Sequence, residues 1–156
     1  MSVSGKGSQT RMQPTHLMTG IALIAVAGMA VSLVSLYEHF ATATTSFCNF
    51  SESLNCDLVN RSVYSTVFGV PVALIGAVGY SLIVTLATVY RNHTQTPVIL
   101  LFVSSLGMGF ALYLAYIEKF VLGAWCVLCL ASLGLILGEA VLSAAATMTM
   151  RNSRSA

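Results

Sequence analysis

The segment GAWCVLCLASLGLILGEAVLSAAATM, residues 123–148, places a Cys-x-x-Cys pair at the start of a long apolar run. The run begins at Cys126 and ends at Met148, and its one charged residue is Glu139. A helix that crosses a lipid bilayer takes about 20 predominantly apolar residues. The segment therefore predicts a transmembrane helix with two cysteines in its first turn.

The rest of the chain is similarly apolar. Of its 156 residues, 56% are hydrophobic and only 8% are charged, and the mean hydropathy is +0.84. Soluble domains carry about 25% charged residues, so this composition excludes a soluble globular protein. Three further apolar runs long enough to cross a membrane come before residues 126–148, namely 17–37, 67–90 and 97–117. We predict an all-α membrane protein in which four transmembrane helices form a bundle.

These runs define one domain, residues 17–148, between polar tails at 1–16 and 149–156. Within the second run, small residues recur at every fourth position, namely Gly69, Ala73, Ala77, Ser81 and Thr85. Helices associate in lipid through small residues that let their backbones approach closely. We expect this stripe to form the packing face of the second helix.

Lys and Arg are distributed unevenly between the predicted connections. Five lie in the two tails and the 91–96 turn, namely Lys6, Arg11, Arg91, Arg151 and Arg154. Only Arg61 and Lys119 fall in the other two connections, together with four of the five acidic residues. Because Lys and Arg are retained on the cytoplasmic side, both tails are predicted to be cytoplasmic. Residues 38–66 and 118–125 are then extracytoplasmic.

All four cysteines fall on the predicted outer side of the membrane. Cys48 and Cys56 lie in the loop of residues 38–66, and Cys126 and Cys129 lie at the outer end of the fourth helix. Disulfide bonds persist outside the cytoplasm. Two structural disulfides, a zinc site and a redox relay are each compatible with this arrangement.

We favour the relay. A zinc site here would straddle the membrane interface, and WCVLCL (residues 125–130) offers no polar group to orient a metal ligand. Structural cross-links gain from long loops, whereas the 126–129 pair closes a short ring that suits a bond which opens and reforms. A helix N-terminus also favours the reactive thiolate. A relay at the membrane edge requires a lipid-soluble electron acceptor, for which a quinone is the obvious candidate.

A small four-helix transporter with structural disulfides is the alternative function, and a non-catalytic assembly protein is a third. A transporter needs a polar lining near the membrane midplane, and Glu139 is the only charged residue in the four runs. We expect Glu139 to make a structural hydrogen bond to a neighbouring helix rather than to carry protons. We expect no nucleic-acid partner.

Taken together, these features resemble the vitamin K epoxide reductase family over nearly all of residues 17–148. The resemblance rests on three motifs: Cys48-x7-Cys56, the run SVYSTVFGVP at residues 62–71, and Cys126-x-x-Cys129 at the start of the last helix. The form of residues 68–71 resembles that of prokaryotic members, which make disulfides in exported proteins by reducing a respiratory quinone. Leu133 stands where vertebrate members have a tyrosine, which is a departure from the family pattern.

The resemblance implies a role for each cysteine. Cys48 accepts the attack of a reduced thioredoxin-fold partner, Cys56 passes electrons to Cys126, and Cys129 faces the quinone. Ser62 matches a family serine on a short helix that caps the quinone pocket. The implied electron acceptor is ubiquinone, menaquinone or a vitamin K-type naphthoquinone. Because no thioredoxin domain follows the fourth helix, we expect the partner to be a separate protein, and we expect the location to be a prokaryotic plasma membrane.

Overall fold

The computed structural model describes the backbone of residues 13–41, 49–51 and 54–155, and the side chains within residues 15–41 and 54–152. Cys48 lies outside the described residues. Helix α1, Gln13–Phe40, is followed by a short antiparallel pair formed by β1, Asn49–Ser51, and β2, Leu54–Asn55. Helix α2, Cys56–Asn60, comes directly after this pair.

A 3₁₀ turn, Val63–Ser65, then leads into a hairpin of β3, Thr66–Val67, and β4, Val70–Pro71. Three further helices complete the described chain: α3, Val72–Thr88, α4, Thr96–Ile117, and α5, Val127–Ser155. A π-helical turn, Glu118–Leu122, continues α4 towards the start of α5.

Three described segments are long and apolar enough to cross a membrane: Thr15–Phe40, Thr96–Leu122 and Val127–Asn152. The prediction of an integral membrane protein is therefore confirmed. Helix α3 has 17 residues, which gives a length of about 25 Å against a hydrocarbon core of about 30 Å. The count of four complete spans stays a prediction.

The second predicted span starts too early at Val67, because that residue lies in the hairpin and the helix begins at Val72. Phe68 and Gly69 form the hairpin turn, with φ angles of 52° and 80°. Two consecutive positive φ angles are characteristic of the two-residue type I′ turn, whose twist matches that of the flanking strands. A right-handed helix cannot continue through this turn, so it starts only after Pro71.

Helix α1 packs against both α3 and α5, and α4 packs against α5. We call the end of the bundle that contains α2 and Cys126 the outer end, and the opposite end the inner end. The core of the inner end is apolar and includes Ile21, Leu100 and Ala146.

The packing face of α3 lies at different residues from those predicted. Ala77 is buried as expected, but Ser81 and Thr85 are exposed, and Tyr80 is buried in their place. A methyl group at Gly28 of α1 would overlap the Tyr80 ring. The close approach of the two helices is therefore set by a glycine on α1 that accommodates a large ring on α3.

Candidate functional site

Backbone hydrogen bonds join the segment before α2 to the segment before α5. Leu54 and Trp125 form a parallel bridge, and the Asn55 N–H donates to Trp125 O at 3.1 Å. Because Cys56 follows Asn55 and Cys126 follows Trp125, this bridge brings the two cysteines together. They are 1% and 0% exposed and belong to one buried cluster.

The described cysteines differ in their bonding. Cys56 is disulfide-bonded, whereas Cys126 and Cys129 carry free thiols. Cys129 packs against the cluster that contains Cys56 and Cys126. The structure thus brings together three of the four predicted cysteines, and Cys48 lies outside its described part.

Cys126 lies directly before the membrane-spanning part of α5, and its carbonyl accepts the Leu130 N–H at 3.0 Å. Hydrogen bonding by the Cys129 thiol lowers the pKa of the Cys126 thiol. The backbone N–H groups of Cys129 and Leu128 lower that pKa as well, whereas burial acts in the opposite direction. A helix N-terminus stabilises a thiolate in this way, so Cys126 is the better stabilised thiolate of the reduced pair.

A cavity of ≈ 360 Å³ lies between the long helices beneath α2. Its lining is largely apolar, and the residues that matter for its chemistry include Asn60, Ser62, Tyr80, Glu118 and Cys129. Binding pockets for small organic ligands occupy about 300–1,000 Å³ and are mostly apolar with a few placed polar groups. The cavity therefore suits an apolar ring with polar substituents, and Cys129 lies in its wall.

Ser62 and Asn60 line this cavity in different hydrogen-bonding states. The Ser62 hydroxyl donates to Val59 O at 2.8 Å. Asn60 Oδ1 accepts from Ser35 Oγ at 3.1 Å, and Asn60 O accepts from His39 Nδ1 at 2.6 Å. Asn60 Nδ2, by contrast, is buried and has no hydrogen-bond partner among the described residues. It is therefore a free donor at the cavity wall, which the sequence analysis missed because Asn60 follows Cys56 in an unremarkable polar loop.

Glu118 was also missed, since it was assigned only to the outer connection with the other acidic residues. Its side chain is 2% exposed, and its Oε2 accepts the Cys126 N–H at 3.0 Å. The chain turns back after the π-helical turn, where Gly123 has a φ of 64° and the Ala124 N–H donates to Glu118 O at 3.2 Å. This turn brings the carboxyl next to Cys126 and Cys129. A glutamate directly after an apolar run and eight residues before Cys126 was the available signal.

Glu139 is fully buried in α5, but it does not line the cavity. Neither carboxyl oxygen has a hydrogen-bond partner among the described residues. The predicted hydrogen bond to a neighbouring helix is therefore wrong for the described part of the chain. Within that part, no three His, Cys, Asp or Glu side chains cluster as metal ligands do.

The profile of the Vitamin K epoxide reductase family matches residues 20–144, a range that includes all four cysteines and the cavity. The chain belongs to this family. Family membership identifies the protein as a membrane oxidoreductase of the thiol–quinone class, and family members generally use a quinone as the electron acceptor. A comparison with characterised proteins gives no match.

Proposed function

We propose that this protein oxidises the thiols of a separate thioredoxin-fold protein outside the cytoplasm and passes the electrons through two cysteine pairs to a membrane quinone. Its activity supports disulfide-bond formation in exported proteins. The observation that carries the proposal is the buried cluster of Cys56 and Cys126, with Cys129 placed between that cluster and the cavity.

The first half of the cycle is thiol–disulfide exchange. A partner thiolate attacks Cys48 of a Cys48–Cys56 disulfide, the second partner thiol resolves the mixed disulfide, and the loop pair is left reduced. Cys56 then attacks the Cys126 sulfur of a Cys126–Cys129 disulfide, and Cys129 leaves as a thiolate. Attack by Cys48 on Cys56 releases Cys126 and restores the loop disulfide.

The described structure supports this order of events. Cys56 and Cys126 are buried in one cluster, where their sulfurs can exchange, and Cys129 packs against this cluster and lines the cavity.

The second half of the cycle takes place in the cavity, whose residues fit a quinone. Cys129 lines the apolar cavity, and Asn60 Nδ2 offers the donor that a quinone carbonyl needs. A buried donor without a partner costs about 1–3 kcal/mol, so a ligand oxygen at this position regains that free energy. When bound, the quinone takes two electrons from the Cys126–Cys129 pair. Ser62 lines the same cavity and connects the end of α2 to the following 3₁₀ turn through its bond to Val59.

Anaerobic mixing of the reduced protein with ubiquinone and menaquinone analogues tests the proposal. We expect the fully reduced protein to reduce two quinones per molecule, one for each of its two cysteine pairs, as measured by quinone absorbance. The matched control is Cys129→Ser, which keeps the size of the side chain and should leave the quinone oxidised. Persistence of every quinone in its oxidised form with the unsubstituted protein would show that the proposed function is wrong.

The partner is identified by trapping. In Cys56→Ser the bond to the partner cannot be resolved by the loop, so a mixed disulfide between Cys48 and a thioredoxin-fold protein should accumulate. Cys48→Ser is the control and should trap nothing. Trapping that survives Cys48→Ser but requires Cys129 would reverse the proposed order of the relay.

We further propose that the protein lies in a prokaryotic plasma membrane with both termini in the cytoplasm. A reporter enzyme that is active only outside the cytoplasm should be inactive when it is fused after Ala156. Strong reporter activity there would place the cysteines in a reducing compartment and contradict the topology. The transporter alternative makes the opposite prediction for the cysteines, since transport should survive Cys129→Ser.

A further inference from the structure

The relay accounts for the electrons, but quinone reduction also consumes protons. The formation of a hydroquinone takes two electrons and two protons, and the oxidation of two thiols to one disulfide releases the same numbers. Because the cavity lining is largely apolar, a side chain is the group best placed to move one of these protons between sulfur and oxygen. The described cavity wall contains one carboxyl group, that of Glu118.

The contacts of this carboxyl place it beside Cys126 and Cys129 at the cavity wall. Oε2 accepts the Cys126 N–H at 3.0 Å, which fixes the orientation of the side chain. Oε1 has no hydrogen-bond partner with normal geometry among the described residues, although the Cys129 thiol is close enough to interact with the carboxyl. One oxygen thus holds the carboxyl in place, and the other is free for proton transfer.

We propose that Glu118 accepts the proton of the Cys129 thiol and returns it to the nearer quinone oxygen. This inference rests on the proposed function and names the proton carrier of the same site. The role is catalytic because the Glu118 carboxyl contacts Cys129, whose sulfur reacts.

The step balances as follows. Cys129 Sγ loses its proton to the Glu118 carboxylate, and an S–S bond forms between Cys126 and Cys129. Two electrons pass from the pair to the quinone, and Glu118 releases its proton to one quinone oxygen. Cys126 enters the step as a thiolate, its proton having already passed to water when the pair was reduced, and the second quinone oxygen takes one proton from water. Glu118 ends the step as a carboxylate, as it began.

Glu118→Gln separates proton transfer from structure. The amide oxygen of Gln can accept the Cys126 N–H as Oε2 does, but an amide cannot accept and release the proton. Glu139→Gln is the matched control, because it neutralises another fully buried carboxyl, about 15 Å along α5 from Cys129 and outside the cavity.

Two rates are measured on each purified full-length variant. The first is single-turnover reduction of a ubiquinone or menaquinone analogue under anaerobic conditions. The second is the transfer of electrons from dithiothreitol through the loop to an oxidised Cys126–Cys129 pair, followed by thiol alkylation without quinone. We expect Glu118→Gln to slow the first rate by about 100-fold or more, the usual effect of losing a general acid–base. The second rate should change by less than about threefold, and Glu139→Gln should leave both unchanged.

The outcomes separate this inference from the proposed function. If the unsubstituted protein reduces no quinone, the proposed function itself fails. If it reduces quinone and Glu118→Gln does so at a similar rate, Glu118 is not the proton carrier. Equal loss of both rates in Glu118→Gln, including loss through misfolding, would mean that the carboxyl only shapes the cysteine pair, and would overturn the proposal.

Discussion

The outer and inner ends of the bundle bury different kinds of side chain. At the inner end, Ile21 and Leu100 are fully buried in an apolar cluster. At the outer end, the buried groups include Asn60 and Glu118, and each keeps one polar atom without a hydrogen-bond partner among the described residues. Buried polar atoms are normally paired, so unpaired ones beside a cavity indicate where a ligand binds.

The two ends also differ in how regular their backbone is. The inner end consists of long helices, whereas the outer end is built from two short strand pairs, the short helix α2 and a π-helical turn. Irregular backbone at the outer end is what lets Cys56, Cys126 and Glu118 approach one another from separate parts of the chain. The inner end therefore contributes mainly stability, and the outer end carries the chemistry. Glu139 and Ser143, both buried and unpaired in α5, are an exception that nothing in the structure explains.

The largest effect is expected at the outer end. Cys129→Ser should lower the rate of quinone reduction by roughly 10³-fold or more, because the sulfur that faces the cavity is removed. Thermal stability in detergent should stay nearly constant, since serine is close to cysteine in size. A large loss of stability in this variant would show that the outer end is structural as well, and would weaken the comparison.

The next largest effect is expected at the inner end, where a substitution should lower stability without changing quinone reduction. Leu100→Ala should lower the free energy of unfolding by about 2–4 kcal/mol, because Leu100 is 0% exposed and its removal leaves a cavity. Denaturant titration in detergent measures this change. Leu112→Ala on the same helix is the control, since the Leu112 side chain is 52% exposed and its truncation should change the free energy of unfolding little. A fall in quinone reduction per folded molecule in Leu100→Ala would contradict the separation of the two ends.

A smaller effect is expected where the two ends meet. Gly28→Ala should lower the free energy of unfolding by about 1–3 kcal/mol, because the added methyl group overlaps the Tyr80 ring and forces α1 and α3 apart. Tyr80 lines the cavity and donates to Ser132 O at 3.0 Å, so quinone reduction should slow too. Gly109→Ala is the control: a methyl group at Gly109 meets no other atom, so this variant should change neither the free energy of unfolding nor the rate of quinone reduction. Equal stability of the two variants would show that Gly28 does not set the spacing of α1 and α3.

The smallest effect concerns quinone binding. Asn60→Asp keeps an oxygen for Ser35 but removes the free NH₂ donor, so the KM for quinone should rise by about 3- to 10-fold, the value of one hydrogen bond. Ser62→Ala should raise the KM less, because the Ser62 hydroxyl already donates to Val59. Steady-state kinetics with one quinone analogue measure both. A larger effect of Ser62→Ala would assign the carbonyl contact to Ser62 instead.

The sequence predicted the features that depend on composition and on local motifs. Apolar runs and the cysteine motifs were sufficient for the membrane class and for the family. The start of α3 was misplaced because Val67 and Phe68 are as apolar as the helix that follows, and hydropathy cannot detect a change of φ at Phe68 and Gly69.

The site was only partly predictable for a related reason. Cys126 and Cys129 are adjacent in sequence, whereas the position of Cys56 depends on the backbone bridge between Leu54 and Trp125. Glu118 and Asn60 carry no motif of their own. Their importance comes from burial and from atoms that lack partners, and these properties exist only in the folded chain.

The central claim is that electrons cross from the loop to the membrane pair through Cys56 and Cys126. The most direct test is a protein with Cys48→Ser and Cys129→Ser, in which these two cysteines alone remain. Mild oxidation should link Cys56 to Cys126, as mapped by mass spectrometry of peptides cleaved without reduction. The matched protein with Cys48→Ser and Cys126→Ser should form little of the bond between Cys56 and Cys129. A bond that forms only in the second protein would contradict the account.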